Sequence, residues 1–356
     1  MSNGLQRREA RTAGLIAGIA AATVGAIATG FELERQIIRR RLRPSVRDAS
    51  EYFSLTGDPV PVTADDGTRL HAEVDEAPEA PEDALTVVFV HGYVLSRHCW
   101  YHQRQAVRGR RRVVVYDQRG HGDSDLADAD SCRVDQLARD LHAVLEATTD
   151  PDEKVILVGH SMGGMTIMDF ARIFPEEFER KVRGVGLVAT SAGDLSNLSV
   201  VPGLPGPVFT ALAPHAIAAI NRAPHLWDRA RRVGTDVGYV VTRRMAYGSE
   251  VPPQLVEFMV QMIGATPLKV MGDFYPAFAD FDGRAGLEAI QCVESMVVGG
   301  RRDQILPVRH THAVIERLPG AESWIDPKQG HMHFIGNPEP VNDLLDSLIV
   351  RSERAR

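Results

Sequence analysis

The 356 residues are 44% hydrophobic with a net charge of −7, which suits one large α/β domain with an insertion, or two small domains, and excludes a disordered chain. Residues 1–43 hold eight Arg against three Glu, a surplus of five positive charges, so the remainder sits at −12 and nucleic acid is a poor partner for it. Cys99, Cys132 and Cys292 are odd in number and widely spaced; they outline no disulfide framework and no metal site, and read as free thiols of a reducing compartment.

From Thr12 to Phe31 run 20 uncharged residues, enough to span about 30 Å as a helix. Their apolar quality is modest, because Ala, Gly and Thr dominate. Three readings stay open. One is a membrane-spanning or membrane-resting helix, with Gly14 and Gly18 as a helix-packing face. The second is a signal peptide of an exported protein, with Ala26-Ile27-Ala28 as the cleavage site. The third is an Ala-rich helix packed on a soluble cytoplasmic domain. Arg35, Arg39, Arg40, Arg41 and Arg43 follow the stretch and Arg7, Arg8 and Arg11 precede it, a bias that favours a membrane-associated chain with a cytoplasmic body.

After this N-terminal segment, 1–43, a Pro-containing linker leads to Val60–Ala64 and Leu70–Val74. Two short alternating runs around Asp65-Asp66-Gly67 predict a β-hairpin. Ala77–Asp83 reads as a surface loop. Val87–Val90 is a buried strand ending in His91-Gly92-Tyr93, and a helix is expected over Arg97–Val107. Val113–Tyr116 is a second buried strand, followed by Asp117-Gln118-Arg119-Gly120-His121-Gly122-Asp123-Ser124. A helix over Val134–Ala147 returns to a third, Val155–Val158. Strands alternating with such helices imply a mostly parallel, doubly wound sheet with its site at the strand C-termini.

The third strand runs into Gly159-His160-Ser161-Met162-Gly163-Gly164 and a helical pattern that Pro175 is expected to stop. This is G-x-S-x-G between strand and helix, a turn tight enough to lift the serine hydroxyl clear of the sheet. The glycines remove side chains that would collide where strand and helix cross. After a strand at Val185–Ala189 the alternation breaks. Residues 191–291 read as a helical insertion over the site, interrupting a core of 44–190 and 292–356. Its large apolar residues, including Phe258, Met259, Met262, Phe274 and Phe278, serve equally well as plain core or as a substrate-facing lining. The alternation resumes with a strand at Ser295–Val298, a helix near Val308–Leu318, a strand at Ser323–Ile325 and a helix over Pro338–Val350.

A serine hydroxyl is a weak nucleophile and needs a base within reach, itself oriented by a third group. With an elbow serine the expected chain order is Ser, acid, His. Asp303 lies just past one late strand and His331 follows the last. Asp194 is a rival acid and His333 a rival base.

With these pieces in place, the chain from about Val60 to Val350 resembles an α/β-hydrolase of the serine esterase/lipase and cofactor-free haloperoxidase type. The resemblance implies Ser161 as nucleophile, His331 as base and Asp303 as its orienter. It also implies an oxyanion hole from the backbone N–H groups of Tyr93 and Met162, a structural Asp117, and no cofactor or metal. Serine at the elbow argues against epoxide-hydrolase or dehalogenase chemistry, which in this superfamily uses aspartate there. The expected reaction is hydrolysis of a small-molecule or lipid carboxylic ester with an apolar group under the insertion. A haloperoxidase/perhydrolase, a carbon–carbon bond hydrolase and an inactive scaffold are the alternatives.

Overall fold

The computed structural model describes residues 48–81, 83–195 and 238–355. The Thr12–Phe31 segment and residues 196–237 of the insertion lie outside the described residues. Among those described, no helix is long and apolar enough to cross a membrane.

Eight strands form one sheet in the order β1-β2-β4-β3-β5-β6-β7-β8. The expected hairpin is β1 (Asp58–Thr63) and β2 (Arg69–Asp75), and Gly67 supplies the positive φ of 88° in its turn. β2 pairs antiparallel with β4 (Val113–Tyr116); from there onward β4, β3 (Thr86–Val90), β5 (Val155–His160), β6 (Val182–Val188), β7 (Glu294–Gly300) and β8 (Glu322–Asp326) are all parallel. β3, β4 and β5 are buried along their whole length, the reason they are written as unbroken apolar runs and not as alternating ones. The chain steps from β3 outward to β4 and then back across β3 to β5. Strand order therefore reverses at β3, and in such sheets the crevice for a ligand lies at the C-terminal ends of the strands on either side of the reversal, here β3 and β5.

Helices cover both faces. Val134–Thr148 and the helix after β5, Met162–Ile173, bury Leu141, Val144, Met165 and Phe170 on one side. Tyr101–Val107 and Pro338–Arg354 bury Val107, Leu345 and Leu348 with Trp100 on the other. Pro175 does not simply stop a helix: it opens a second one, Pro175–Lys181, at a position where its missing N–H costs nothing. β6 consequently begins at Val182, three residues earlier than expected from the sequence. The last helix of the expected insertion, Arg284–Ile290, buries Leu287 and Ile290 in the same core as Met165 and Met168, so it lies with the sheet layers. The insertion's apolar residues divide as well. Phe258, Met259 and Met262 are core, packed with Trp100 and touching Tyr52 and Phe53, whereas Phe274 joins a separate cluster with Met162 and Val270.

A buried ionic network fastens the antiparallel strand to the segment that follows β3. Glu73 on β2 takes Arg97 at 2.8 Å and Arg104 at 2.9 Å, Arg104 also binds Asp75 at 2.6 Å, and Arg97 reaches Asp117 and Asp123. Burial alone would raise the Glu73 carboxyl; the Arg97 and Arg104 guanidiniums and the Gly57 N–H outweigh it and hold it at about 2, below its ordinary 4.5. The sign follows directly: a depressed carboxyl stabilises the fold fully above pH 4.5 and loses that contribution as pH falls through about 2. The contribution is on the order of 3 kcal/mol. Denaturant unfolding of wild type and Glu73→Gln should therefore show a stability gap that narrows between about pH 5 and about pH 3. A gap that stays constant across that range would contradict the network.

Candidate active site

β5 ends in a turn that the backbone makes at some cost. Ser161 has φ 52° and ψ −115°, a region that side chains other than glycine rarely occupy. The turn is held from both sides, since Ser161 N–H donates to Val188 O at 2.9 Å and Thr190 Oγ1 donates to Ser161 O at 2.7 Å. The helix then leaves almost in contact with the sheet. A Cβ on Gly163 would fall 2.1 Å from the Val90 carbonyl oxygen, and one on Gly159 would fall 2.5 Å from the Gly163 carbonyl carbon. Only glycine fits either position.

The acid and the base come from the ends of β7 and β8, on the same edge of the sheet. His331 Nδ1 lies 2.7 Å from Asp303 Oδ2 in a buried pair. The other carboxylate oxygen accepts the N–H groups of Ile305 and Leu306, both at 2.8 Å. A carboxylate accepts, so in this pair His331 Nδ1 is the donor, and in a neutral ring that tautomer leaves the lone pair on Nε2. The rivals stand elsewhere. His333 is fully buried, and burial pushes it down to about 4. Asp194 has a side chain 86% exposed and faces Arg284 at 3.3 Å. His160, next to the serine, puts its ring 4.6 Å from that of His331, which brings the end of β8 to the elbow.

The loop after β3 is built by two neutral histidines. His91 Nδ1 donates to Gly92 O at 2.7 Å, while its Nε2 accepts Gln118 N–H at 2.9 Å. His121 Nδ1 donates to Arg119 O at 2.9 Å and its Nε2 accepts Val94 N–H at 3.2 Å. Burial drives both imidazoles toward the uncharged form, His91 to about 4 and His121 to about 3, as a ring that must accept at one nitrogen requires. No local pattern marks the His121 role, because its partner is a backbone amide 27 residues away. Tyr93 N–H, in this loop, and Met162 N–H, at the start of the elbow helix, donate to no backbone or side-chain acceptor among the described residues. They are two free donors at the crevice between β3 and β5. Asp117, fully buried, is occupied by Arg97 and by the Asp123 N–H, a structural task. Among the described residues no group of His, Cys, Asp and Glu is arranged to hold a metal ion.

The profile of a family described as "Alpha/beta hydrolase family" matches residues 87–344. A non-heme chloroperoxidase of Burkholderia pyrrocinia is 29% identical over 242 residues, 68% of this chain and 82% of that protein. Epoxide hydrolase B of Mycobacterium tuberculosis is 34% identical over 145 residues, 40% of this chain and 37% of that one. Among solved structures, a putative aryl esterase from Burkholderia cenocepacia superposes with a TM-score of 0.65 at 22% identity, covering 84% of this chain and 100% of the other, a likeness of fold.

The close approach at the elbow has a direct test. Gly163→Ala should lower stability by about 1–3 kcal/mol, the cost of forcing extra volume against backbone that cannot yield. An unchanged denaturation midpoint would mean the helix and β3 are not in contact at this point.

Proposed function

The chain belongs to the α/β-hydrolase family, and from that premise we propose that it is a serine hydrolase that cleaves a carboxylic ester with an apolar acyl or alkyl group. The observation that carries the proposal is the buried His331–Asp303 pair, 2.7 Å long, on the edge of the sheet where the backbone presents Ser161. In this reading Ser161 Oγ attacks the ester carbonyl and passes its proton to His331 Nε2. Asp303 holds the imidazole in the right tautomer and stabilises the imidazolium as it forms. The negative charge developing on the carbonyl oxygen is met by the N–H groups of Tyr93 and Met162; losing one such donor typically costs about 10²–10³ in turnover. His331 then protonates the departing alcohol. Water, activated by the same imidazole, releases the acid from the acyl-enzyme.

Serine at position 161, where epoxide hydrolases of this superfamily carry aspartate, favours acyl transfer over epoxide opening. The chloroperoxidase similarity favours a second reading, perhydrolysis, in which hydrogen peroxide replaces water in the deacylation step. A C4-to-C12 series of p-nitrophenyl esters, run with and without peroxide, separates the two by whether peracid accumulates.

Substitutions test the assignment of roles. Ser161→Ala and His331→Ala should each cost on the order of 10⁶ in turnover, because the two act as a unit. Asp303→Asn should cost roughly 10⁴ through the wrong tautomer. His333→Ala and Asp194→Asn should lose far less. A severe loss at either rival, with a mild one at its counterpart, would move the role to that residue.

A further inference from the structure

Tyr93 occupies two places at once. Its backbone N–H lies in the loop after β3, as one of the two free donors of the crevice. Its side chain runs beneath the helix Leu268–Ala279, where the hydroxyl donates to the main-chain carbonyl of Met271. The ring meets Phe278 edge-on at 5.2 Å. The same helix reaches the rest of this apparatus. Phe274 faces the ring of His121 at 5.6 Å, and His121 is the residue that accepts the Val94 N–H. Val94 itself is held at a positive φ of 57°. The second donor, Met162, is buried in one apolar cluster with Val270 and Phe274, and with Cys132 and Leu137 behind them. Val270, Phe274 and Phe278 recur every four residues, so a single face of this helix covers both donors and the histidine that shapes the loop between them.

The helix is not rigid by its own hydrogen bonds alone. Pro276 inside it has no N–H to give back to Gly272, so its ladder is interrupted one residue past the carbonyl that Tyr93 holds. Its position therefore depends on what it rests on, and the Tyr93 hydroxyl is a directional part of that support.

We propose that the helix Leu268–Ala279 sets the geometry of the oxyanion hole through Tyr93, with the Tyr93 hydroxyl to Met271 carbonyl bond as the positioning contact. The inference rests on the hydrolase reading for what the two N–H groups do, and extends it to substrate choice. A group that packs well under the helix keeps it seated, and the donors with it. A group that displaces the helix spoils the transition state and not merely ground-state binding, because a shift of about 1 Å in a reacting group costs up to about 10²-fold in rate. Specificity is then expressed in kcat as much as in KM.

Tyr93→Phe in the full chain is the test, since it keeps the ring and the backbone N–H and removes only the hydroxyl. On p-nitrophenyl acetate and p-nitrophenyl octanoate, kcat should fall about tenfold with KM changed less than about twofold, a partial version of losing one donor. Hydrogen exchange should quicken in the peptides covering 91–96 and 268–279 together, with the melting temperature nearly unchanged. A rise in KM alone would make the side chain a mere wall of the pocket. Faster exchange confined to 268–279 would show that the tether does not reach the loop. A fall in kcat accompanied by a large loss of melting temperature, and reproduced by Phe278→Ala, would reduce the contact to general packing. Each of these overturns the proposal. Absence of esterase activity in wild type would instead count against the hydrolase reading, and the paired exchange measurement would still decide the tether.

Discussion

The contact on which this structure turns is the one between the elbow helix and β3. Val90 ends its strand so close to Gly163 that no side chain fits between them. Because the helix must leave β5 at that distance, the backbone has to reverse within one residue, and Ser161 takes the strained conformation that results. Two outcomes follow from the same constraint. The serine hydroxyl stands at the C-terminal end of the central strand, and the first N–H of the helix is left unpaired among the described residues, beside the loop that β3 feeds. The cost of the strain is spread over the Val188 and Thr190 hydrogen bonds and over the buried strands on either side.

A second requirement is electrostatic. In the proposed reaction His331 accepts a proton, which neighbouring positive charge would oppose. The buried imidazoles that interact with it, His160 and His333, are both pushed toward the neutral form, chiefly by burial. A second imidazolium beside His331 would oppose the charge that the proposed reaction places on it. Positive charge that the fold buries on Arg97 and Arg104 is balanced by Glu73, Asp75 and Asp117, and that on Arg119 by Asp140.

Much of this was legible in the residues because burial on both faces leaves an unmistakable mark. Val87–Val90, Val113–Tyr116 and Val155–Val158 are apolar without alternation, and each is a central strand. Ser161 stands out because it follows one of these strands and Asp303 because it follows the largely buried β7, whereas His331 follows β8, a partly exposed edge strand that carries a weaker mark. What escaped was decided by tertiary contact. Pro175 carries the same local signal whether it ends a helix or begins one, and only the packing of Phe178 fixes which. Leu287 and Ile290 look like any apolar pair of the insertion until the elbow helix is present to receive them. Glu73 and Arg97 are 24 residues apart, and a charged residue inside a strand reads as a solvent-facing one. The Tyr93 hydroxyl finds its acceptor 178 residues downstream, beyond any local pattern.

The central claim is that Ser161 is made nucleophilic by the His331–Asp303 pair at the end of this sheet. Labelling of the purified, folded chain with a fluorophosphonate, followed by digestion and peptide mass analysis, tests it most directly. The account predicts one adduct, on the peptide that carries Ser161, and its loss in a His331→Ala chain that retains the wild-type melting curve. An adduct on a different serine, or a Ser161 that reacts equally well without His331, would contradict it.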